Sequence, residues 1–419
     1  MKIAIIGSGI SGLAAAFYLS PDHQVTVFEK DETLGGHVNT FTVRHPEYSV
    51  DIDTGFIVFN RNTYPGFCKL LEELDVEARP TTMSFSVQCN KSGLEYSGHS
   101  FFTFFAQKWR LVDAKHFRFL WDILRFNKKA KTVSASLSHQ MTIGEFFEEN
   151  RFGRRFYEKY FLPMAAAIWS SPTDKVVDFP FRSMIEFYEN HGMLQIKDRP
   201  IWYVISGGSK TYVDRIVETS NGRFLTNAPV QQVVKQNGQF RILLGNGEAD
   251  QVFDHVIVAC HSDQALRITD NCLSDRQKNI LSAFAYQPNT AVLHHDSSWM
   301  PKRKQIWSAW NYHIPRQDSA FATLTYDMNI LQQLDCPDRH FVTLNPQHPI
   351  APECVLREFQ YEHPLFTRER HEAQSQHHQL ICQDGLSFCG AYWGHGFHED
   401  GLQSGMAVVN AIERAGINA

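Results

Sequence analysis

The spacing of apolar and polar residues changes along the chain, and each change marks an element. Residues 2–6 (KIAII) form a short apolar run of strand type, and the LAAAFYL that follows a glycine turn has helical spacing. QVTVF at 24–28 predicts a second strand, which ends at Glu29. These residues predict a strand, a turn, a helix and a strand, the opening unit of a doubly wound α/β sheet.

Residues from about 60 to 200 have a different texture, with aromatic-rich helical segments. Strand patterns return near 201–205, 230–235, 240–244, 255–260, 289–295, 321–326 and 385–393. A glycine-punctuated helix then closes the chain. The pattern predicts one domain built from distant segments, with a second domain inserted between them. The first domain is expected at 1–60, 205–270 and 380–419, and the second at 61–204 and 271–379.

The turn between the first strand and the first helix carries a candidate binding motif. Gly7, Gly9 and Gly12 give G-x-G-x-x-G between strand and helix, where glycines allow a tight turn, close approach to a pyrophosphate and close helix packing. The helix N-terminus adds amide hydrogens and a positive dipole. Glu29 lies where a carboxylate accepts ribose hydroxyl hydrogen bonds. A dinucleotide site is therefore predicted, and Ser11 and Lys30 are assigned to it with these residues.

Composition and net charge exclude several classes of protein and of binding site. Of 419 residues, 43% are hydrophobic and 20% charged, which is ordinary for a globular protein with two domains. The net charge of −5 offers no general attraction to nucleic acid. The eight cysteines form no CxxC pair, so neither a zinc site nor a disulfide framework is indicated.

The location of the protein is predicted from its N-terminus and its longest apolar runs. Glycines interrupt the apolar N-terminus, and no small-residue cleavage site follows, so export is not expected. No run of about 18 apolar residues predicts a membrane span. A cytoplasmic protein is expected.

Four segments carry a family resemblance. Gly35, Gly36 and His37 follow Glu29 closely, as in the extended fingerprint of FAD proteins of the amine oxidase and glutathione reductase type. Segment 50–56 (VDIDTGF) and segment 205–216 (ISGGSKTYVDRI), followed by VQQVV, resemble two further motifs of the flavin-containing amine oxidase superfamily, which includes carotenoid desaturases. Segment 388–405 (FCGAYWGHGFHEDGLQSG) resembles its C-terminal motif.

The resemblance implies FAD as cofactor and a two-lobed α/β fold. That fold is a glutathione-reductase-type Rossmann domain with an inserted α+β substrate domain. The last helix, beginning near Asp400 and Gly401, would point its N-terminus at the flavin. The further cofactor contacts that the resemblance implies are Asp53, Gly55, Phe56, Val230, Gly390 and Leu402.

The chain also departs from the family pattern. His37 stands where typical members have arginine, and Ala391 stands where they have an acidic residue. The paired aromatic residues and lysine that accompany amine oxidation have no match here, so amine substrates are disfavoured. Segments 190–209, 324–332 and 398–405 resemble a bacterial branch associated with cyclopropane-fatty-acid synthases. This implies an acyl lipid substrate and raises a lipid methyltransferase as a partner.

Residues 101–131 form a basic, aromatic segment. Phe117, Leu120, Trp121 and Leu124 recur at helical spacing. Two acidic residues, Asp113 and Asp122, stand among eight basic residues: Lys108, Arg110, Lys115, Arg118, Arg125, Lys128, Lys129 and Lys131. Such a helix can lie on an anionic membrane, for example the inner membrane of a bacterium, or it can be a solvated basic face above a buried aromatic stripe.

Histidines are the candidate acid–base groups. His395 and His398 lie within the C-terminal motif, and His191 precedes Gly192. Tyr392 could form an aromatic wall near the flavin. Each of these four residues could equally be structural. No metal site is expected, because the histidine pairs lack accompanying carboxylates or cysteines.

The expected function is FAD-dependent removal of a hydride from a lipophilic substrate, which desaturates a fatty acyl chain. Three alternatives stay open: a flavin amine oxidase, a non-catalytic FAD-binding accessory of a lipid-modifying methyltransferase, and an isomerase without net redox change. The electron acceptor and the oligomeric state are left undetermined.

Overall fold

A computed structural model describes residues 1–133, 141–169, 176–195, 198–245, 247–248, 252–316 and 321–417. The side chain of Lys131, assigned above to the basic segment, lies outside this part. No helix within the described ranges is long and apolar enough to cross a membrane.

The strands and helices are labelled in chain order. The strands are β1 (Lys2–Ile6), β2 (Gln24–Phe28), β3 (Thr40–Arg44), β4 (Ser49–Asp53), β5 (Phe59–Asn60), β6 (Ala78–Thr81), β7 (Phe85–Cys89), β8 (Leu94–Ser97), β9 (Trp202–Ile205), β10 (Arg223–Leu225), β11 (Val230–Gln236), β12 (Gln239–Leu244), β13 (Gly247–Glu248), β14 (His255–Val258), β15 (Tyr286–His294), β16 (Trp310–Ile314), β17 (Thr323–Asp327), β18 (Phe341–Leu344), β19 (Val355–Pro364) and β20 (Leu386–Phe388). The helices are α1 (Ile10–Leu19), α2 (Pro65–Glu73), α3 (Phe101–Phe104), α4 (Ala114–Val133), α5 (Ile143–Asn150), α6 (Arg154–Phe156), α7 (Leu162–Trp169), α8 (Phe181–Asn190), α9 (Lys210–Thr219), α10 (Ser262–Thr269), α11 (Asp275–Ser282), α12 (Met328–Leu331), α13 (Arg368–Gln374) and α14 (His398–Ile417).

A parallel five-stranded sheet organises the first domain. Its order is β10-β2-β1-β14-β20, and every pair in it is parallel. Its strands come from three separate stretches of chain, each within a range expected for this domain. Helices α1 and α14 share a buried core with β1, β2 and β14. The predicted α/β class is confirmed.

A larger sheet organises the second domain. Its order is β19-β15-β18-β17-β16-β7-β8, antiparallel except for the β16–β7 pair. Helices α4 to α8 pack aromatic and other apolar side chains against residues of β7, β8, β16 and β17. Strands β3 to β6 and β9 form two small sheets. This helical and mostly antiparallel unit is the α+β insert that the fold class predicted.

One part of the secondary-structure prediction was wrong. Residues from about 60 to 200 were read as helical segments, and the structure places strands β5 to β8 in the first part of this stretch, beside helix α2. Strands β7 and β8 are buried on almost all their residues, including Gln88 and Glu95. Polar residues at buried positions remove the alternating pattern by which a strand is recognised. Glu95 is stabilised by an ion pair with Arg303, which could not be read from the sequence.

Candidate active site

The glycine turn after β1 forms one wall of the site. Gly7 has φ +102°, and a Cβ there would lie 2.9 Å from the Ala259 carbonyl oxygen. A Cβ on Gly12 would lie 2.1 Å from the Gly7 carbonyl oxygen, so this glycine serves the strand–helix contact. A Cβ on Gly9 would meet no atom within 4 Å. Gly9 therefore faces open space at the N-terminus of α1.

Glu29 lies at the end of β2, against this turn. Its Oε2 accepts hydrogen bonds from the Ser8 amide (3.0 Å) and the Ser8 hydroxyl (2.5 Å), and its Oε1 accepts one from the Asp31 amide (3.1 Å). The Gly35 amide donates to the Ser8 hydroxyl at 3.1 Å. The carboxylate is thus held in place with lone pairs left for a ribose. Ser8 was not among the cofactor residues predicted from the sequence.

A continuous cavity of about 2060 Å³ runs from this turn into the second domain. Ligand cavities commonly measure about 300–1,000 Å³, so this one has room for a dinucleotide and a substrate together. The cofactor residues predicted from sequence that line it are Gly7, Gly9, Ser11, Glu29, Lys30, Gly35, Gly36, His37, Gly55, Phe56, Val230 and Gly390. All four candidate catalytic residues, His191, Tyr392, His395 and His398, also line it.

Asp53, another predicted cofactor residue, is not part of the cavity wall. Its carboxylate accepts hydrogen bonds from the Thr40 hydroxyl (2.6 Å), the Ser209 amide (2.9 Å) and Gln332 Nε2 (3.0 Å). Burial raises its pKa to about 6 although these donors act in the opposite direction. Asp53 therefore joins three chain segments beside the site, where the sequence motif had suggested contact with the flavin.

The last helix also differs from the prediction. It begins at His398, and Asp400 accepts a hydrogen bond from the Phe397 amide at 2.9 Å. A Cβ on Gly401 would lie 2.7 Å from Ile10 Cγ2, and Leu402 packs in the core that α1 shares with α2. Asp400, Gly401 and Leu402 were assigned to the cofactor. Like Gly12, they lie outside the cavity wall, because their contacts are within the fold.

His398 lines the cavity, and two contacts fix the orientation of its ring. Its ring stacks on Phe56 with centroids 3.7 Å apart, and its Nε2 lies 2.8 Å from the Tyr212 hydroxyl. Burial lowers the His398 pKa to about 3, so the imidazole is neutral at physiological pH. Tyr212 on α9 was not predicted, since an isolated helical tyrosine resembles any core residue.

Three histidines meet beside the glycine turn. The ring of His37 lies 5.4 Å from that of His363 and 6.0 Å from that of His261, and Tyr361 lies 5.3 Å from it. Burial lowers the pKa of His37 and His261 to about 4 and that of His363 to about 3. His37, which stands where typical members of the family have arginine, is therefore a neutral imidazole. His261 lies three residues after the end of β14, at the strand edge where ligands bind in α/β folds, and this position is a signal that could have found it.

The far part of the cavity is aromatic. His191 stacks on Phe187 at 3.8 Å, and its Nδ1 lies 2.9 Å from the Phe187 carbonyl oxygen. A carbonyl only accepts, so Nδ1 carries the hydrogen and Nε2 keeps its lone pair. Burial lowers the His191 pKa to about 4. His395 lies beyond Phe187 at 5.9 Å, and burial lowers its pKa. Tyr392 is buried, and its hydroxyl has no partner within the fold.

The cavity walls fit a flavin dinucleotide. Gly9 leaves space at the N-terminus of a ten-residue helix, where a diphosphate is stabilised by amides and the helix dipole. Nε2 of His37 is buried without a partner beside this space, as expected for a group whose partner is a ligand. We expect Glu29 to hold the ribose, Gly9 and Ser11 the diphosphate, and the backbone of Val230 the adenine. No group of metal-ligating side chains occurs among the described residues.

This architecture defines an FAD-dependent oxidoreductase. The chain belongs to the family of flavin containing amine oxidoreductases, whose model matches residues 10–329. A structure described as a protoporphyrinogen oxidase, from Exiguobacterium sp. 255-15, superposes with a TM-score of 0.70 at 14% identity over 99% of both chains. A putrescine oxidase variant gives 0.70 at 15% identity, also over 99% of both chains.

Two further relatives are relevant to the substrate. A fatty acid isomerase from P. acnes that produces conjugated linoleic acid (CLA) superposes with a TM-score of 0.67, at 12% identity over 98% of both chains. A 4,4'-diapophytoene desaturase from Staphylococcus aureus (strain Newman) is 55% identical over 40 residues. That match covers 9% of this chain and 8% of the desaturase. The structural likenesses concern the fold alone.

Proposed function

We propose that this oxidoreductase desaturates a fatty acyl chain, by removal of a hydride and a proton from neighbouring carbons. The observation that carries the proposal is the continuity of the cavity, which joins the glycine turn to an aromatic chamber. The chamber wall includes Phe104, Met164, Trp169 and Phe187. Such a wall excludes water and suits a long apolar substrate.

FAD supplies the hydride acceptor when bound. The residues of this chain then have to orient the substrate and remove a proton. His191 has a neutral ring and a lone pair on Nε2, and it lies in the aromatic part of the cavity. We assign the proton acceptor to His191, with His398 and His395 as orienting groups and Tyr392 as part of the wall.

The charge distribution of the chamber supports an acyl substrate with an anionic end. Among described cavity residues between 96 and 202, Arg199 is the charged one, and it is exposed. A cation at an otherwise uncharged part of the wall suits a carboxylate or a lipid phosphate. The isomerase acts on a fatty acid and the desaturase on a long hydrocarbon, and both substrates agree with this class. We also propose a cyclopropane-fatty-acid synthase as a partner and a cytoplasmic location for this protein.

The test is anaerobic mixing of the flavin-loaded protein with acyl lipids, with flavin absorbance as the readout. Straight, branched and cyclopropanated acyl chains are compared with a panel of amines. Bleaching by an acyl lipid, with a new double bond in the product, is expected. Bleaching by amines alone would make the protein an amine oxidase. A flavin that neither lipids nor amines reduce, in a protein that binds a lipid methyltransferase, would make it an accessory subunit.

A further inference from the structure

Exposed apolar side chains are concentrated on one surface of the second domain. Of the twelve large apolar side chains that are exposed in the described residues, eight lie between positions 101 and 124. Phe102 is 83% exposed and Val112 is 90% exposed. We call this surface the aromatic patch and define it by Phe102, Trp109, Leu111, Val112, Phe117 and Trp121. A concentration of this kind marks a surface that contacts something apolar.

Helix α4 contributes to the patch with a second apolar face. Phe119, Ile123 and Phe126 are buried in the domain core. Phe117 and Trp121, one turn apart on the opposite side of the helix, are exposed. A solvated helix carries one apolar stripe, toward the core. The second stripe therefore needs an occupant outside the domain.

Cations surround the aromatic patch. Lys108, Lys115, Arg118, Lys128 and Lys129 are exposed, although the whole chain has a net charge of −5. The two acidic side chains of this segment are already engaged. Asp113 pairs with Arg110 and Arg155, and Asp122 pairs with Arg118 and Arg125. From a separate loop, the guanidinium of Arg303 lies 5.2 Å from the centre of the Trp109 ring. The occupant is therefore both apolar and anionic.

The cavity opens at this patch. Phe101 and Leu124 line the cavity, and they are also 53% and 39% exposed. They border the aromatic patch along α3 and α4. Leu120, Ile123 and Asn127 continue the cavity wall along α4. A molecule that covers the patch thus faces the entrance of the apolar chamber.

We propose that the aromatic patch docks on an anionic phospholipid bilayer, so that an acyl chain passes from the bilayer directly into the cavity. Aromatic side chains enter the interface, and the lysines contact lipid phosphates. Passage of an acyl chain rests on the proposed function, whereas docking on a bilayer does not depend on which molecule the flavin oxidises. A protein partner is a less favoured occupant than a bilayer, because exposed lysines and arginines accompany the apolar side chains along this segment.

The test is sedimentation of the flavin-loaded protein with vesicles of phosphatidylglycerol and phosphatidylcholine. We expect binding to these vesicles at low salt and little binding to phosphatidylcholine alone. Phe102→Ser and Trp121→Ser should each lower the partition coefficient about tenfold or more, since burial of a large aromatic side chain contributes that much. Phe321→Ser, at an exposed phenylalanine outside the patch, is the matched control and should bind as the wild type does.

Charge-reversal variants test the electrostatic contribution of the lysines to vesicle binding. Lys128→Glu combined with Lys129→Glu should lower binding about tenfold or more, and high salt should have the same effect. Arg223→Glu combined with Arg276→Glu makes the same change in charge at exposed positions far from this segment in the sequence, and it should leave binding unchanged. Retained flavin absorbance shows that each variant is folded.

Three results would overturn the proposal. The wild type could stay in the supernatant with anionic vesicles at low salt, or Phe102→Ser could bind as the wild type does. Alternatively, ultracentrifugation without vesicles could show a dimer that Phe102→Ser converts to a monomer, in which case a second copy covers the patch. Flavin bleaching by detergent-solubilised acyl lipid is measured on the same samples, so failure to dock is distinguished from failure of the proposed chemistry.

Discussion

At the scale of single residues, three histidines of the cavity wall are uncharged although they lie in the cavity that would hold an anionic cofactor. His37, His261 and His363 are neutral because burial lowers the pKa of each to about 4 or 3. Glu29 and the amides of the glycine turn are among the polar groups at the nucleotide end. Neutral imidazoles fit a hydride reaction on an apolar chain, where a fixed cation would disfavour the transfer of a proton to a nearby base.

His191 is the residue whose loss should affect the chemistry most. His191→Phe keeps a ring that can stack on Phe187 and removes the Nε2 lone pair. We expect flavin content to stay normal and the rate of bleaching by an acyl substrate to fall about 10²–10⁴-fold. Tyr64→Phe removes a hydroxyl beside His191 and should retain most of the rate. An unchanged rate in His191→Phe would remove this residue from the chemistry.

The pH dependence of the bleaching rate follows from the pKa of His191. A histidine with a pKa of about 4 stays deprotonated at neutral pH and loses its basic lone pair only below about pH 5. The bleaching rate should therefore be constant from pH 8 to pH 6 and fall as the pH approaches 4. A fall centred near pH 6.5 in pre-steady-state measurements would mean that the base is a histidine of ordinary pKa.

At the scale of elements, the contact between α1 and α14 positions the glycine turn. A Cβ on Gly405 would lie 2.5 Å from the Ser11 carbonyl oxygen, so the two helices cross closely at this glycine. Ser11 lines the cavity. The glycines of the C-terminal motif therefore act on the cofactor site through α1.

Gly405→Ala should push α14 away from α1. We expect a loss of about 1–3 kcal/mol in the free energy of unfolding, which is typical of an added methyl in a tight contact, together with weaker flavin binding. Urea unfolding and flavin titration measure the two effects. Asn410→Ala, at an exposed position of the same helix, should change neither. Equal stability of Gly405→Ala and the wild type would contradict the close crossing.

The sequence predicted elements well where local rules decide them. The boundaries of β1, β2, β11 and β12 follow from apolar runs and turns, and the glycine turn follows from its spacing. The buried strands β7 and β8 were missed, because their polar residues are satisfied by partners far away in sequence. Ser8 and Tyr212 were missed because their roles depend on contacts with Glu29 and His398, which are distant in sequence. His261 could have been found from its place just after a strand. Asp53 and Gly401 matched a motif while their contacts lie within the fold.

At the scale of the whole molecule, the buried histidines make stability depend on pH. Nine histidines have a pKa lowered by burial to about 4 or 3: His37, His191, His255, His261, His294, His313, His340, His363 and His398. Below pH 6.5 the unfolded chain binds protons on these residues while the folded protein does not. Acid therefore favours unfolding between about pH 6.5 and pH 4.

Three buried carboxyl groups act in the opposite direction. Burial raises the pKa of Asp53 to about 6 and also raises those of Asp327 and Asp400. The histidines outnumber them, so the urea midpoint of unfolding should fall steadily from pH 7.5 to pH 5. Each histidine contributes at most about 1.4 kcal/mol per pH unit. A midpoint that stays level or rises on acidification would show that these imidazoles are not buried as described.

The central claim is that a flavin diphosphate binds against the turn between β1 and α1. A side chain at Gly9 is tolerated by the protein itself, because φ is −64° and a Cβ would meet no atom within 4 Å. Gly9→Val should therefore fold and unfold as the wild type does, yet purify without flavin absorbance. Gly98→Val, where a Cβ also meets open space, should stay yellow. A folded Gly9→Val protein that retains full flavin would contradict the account.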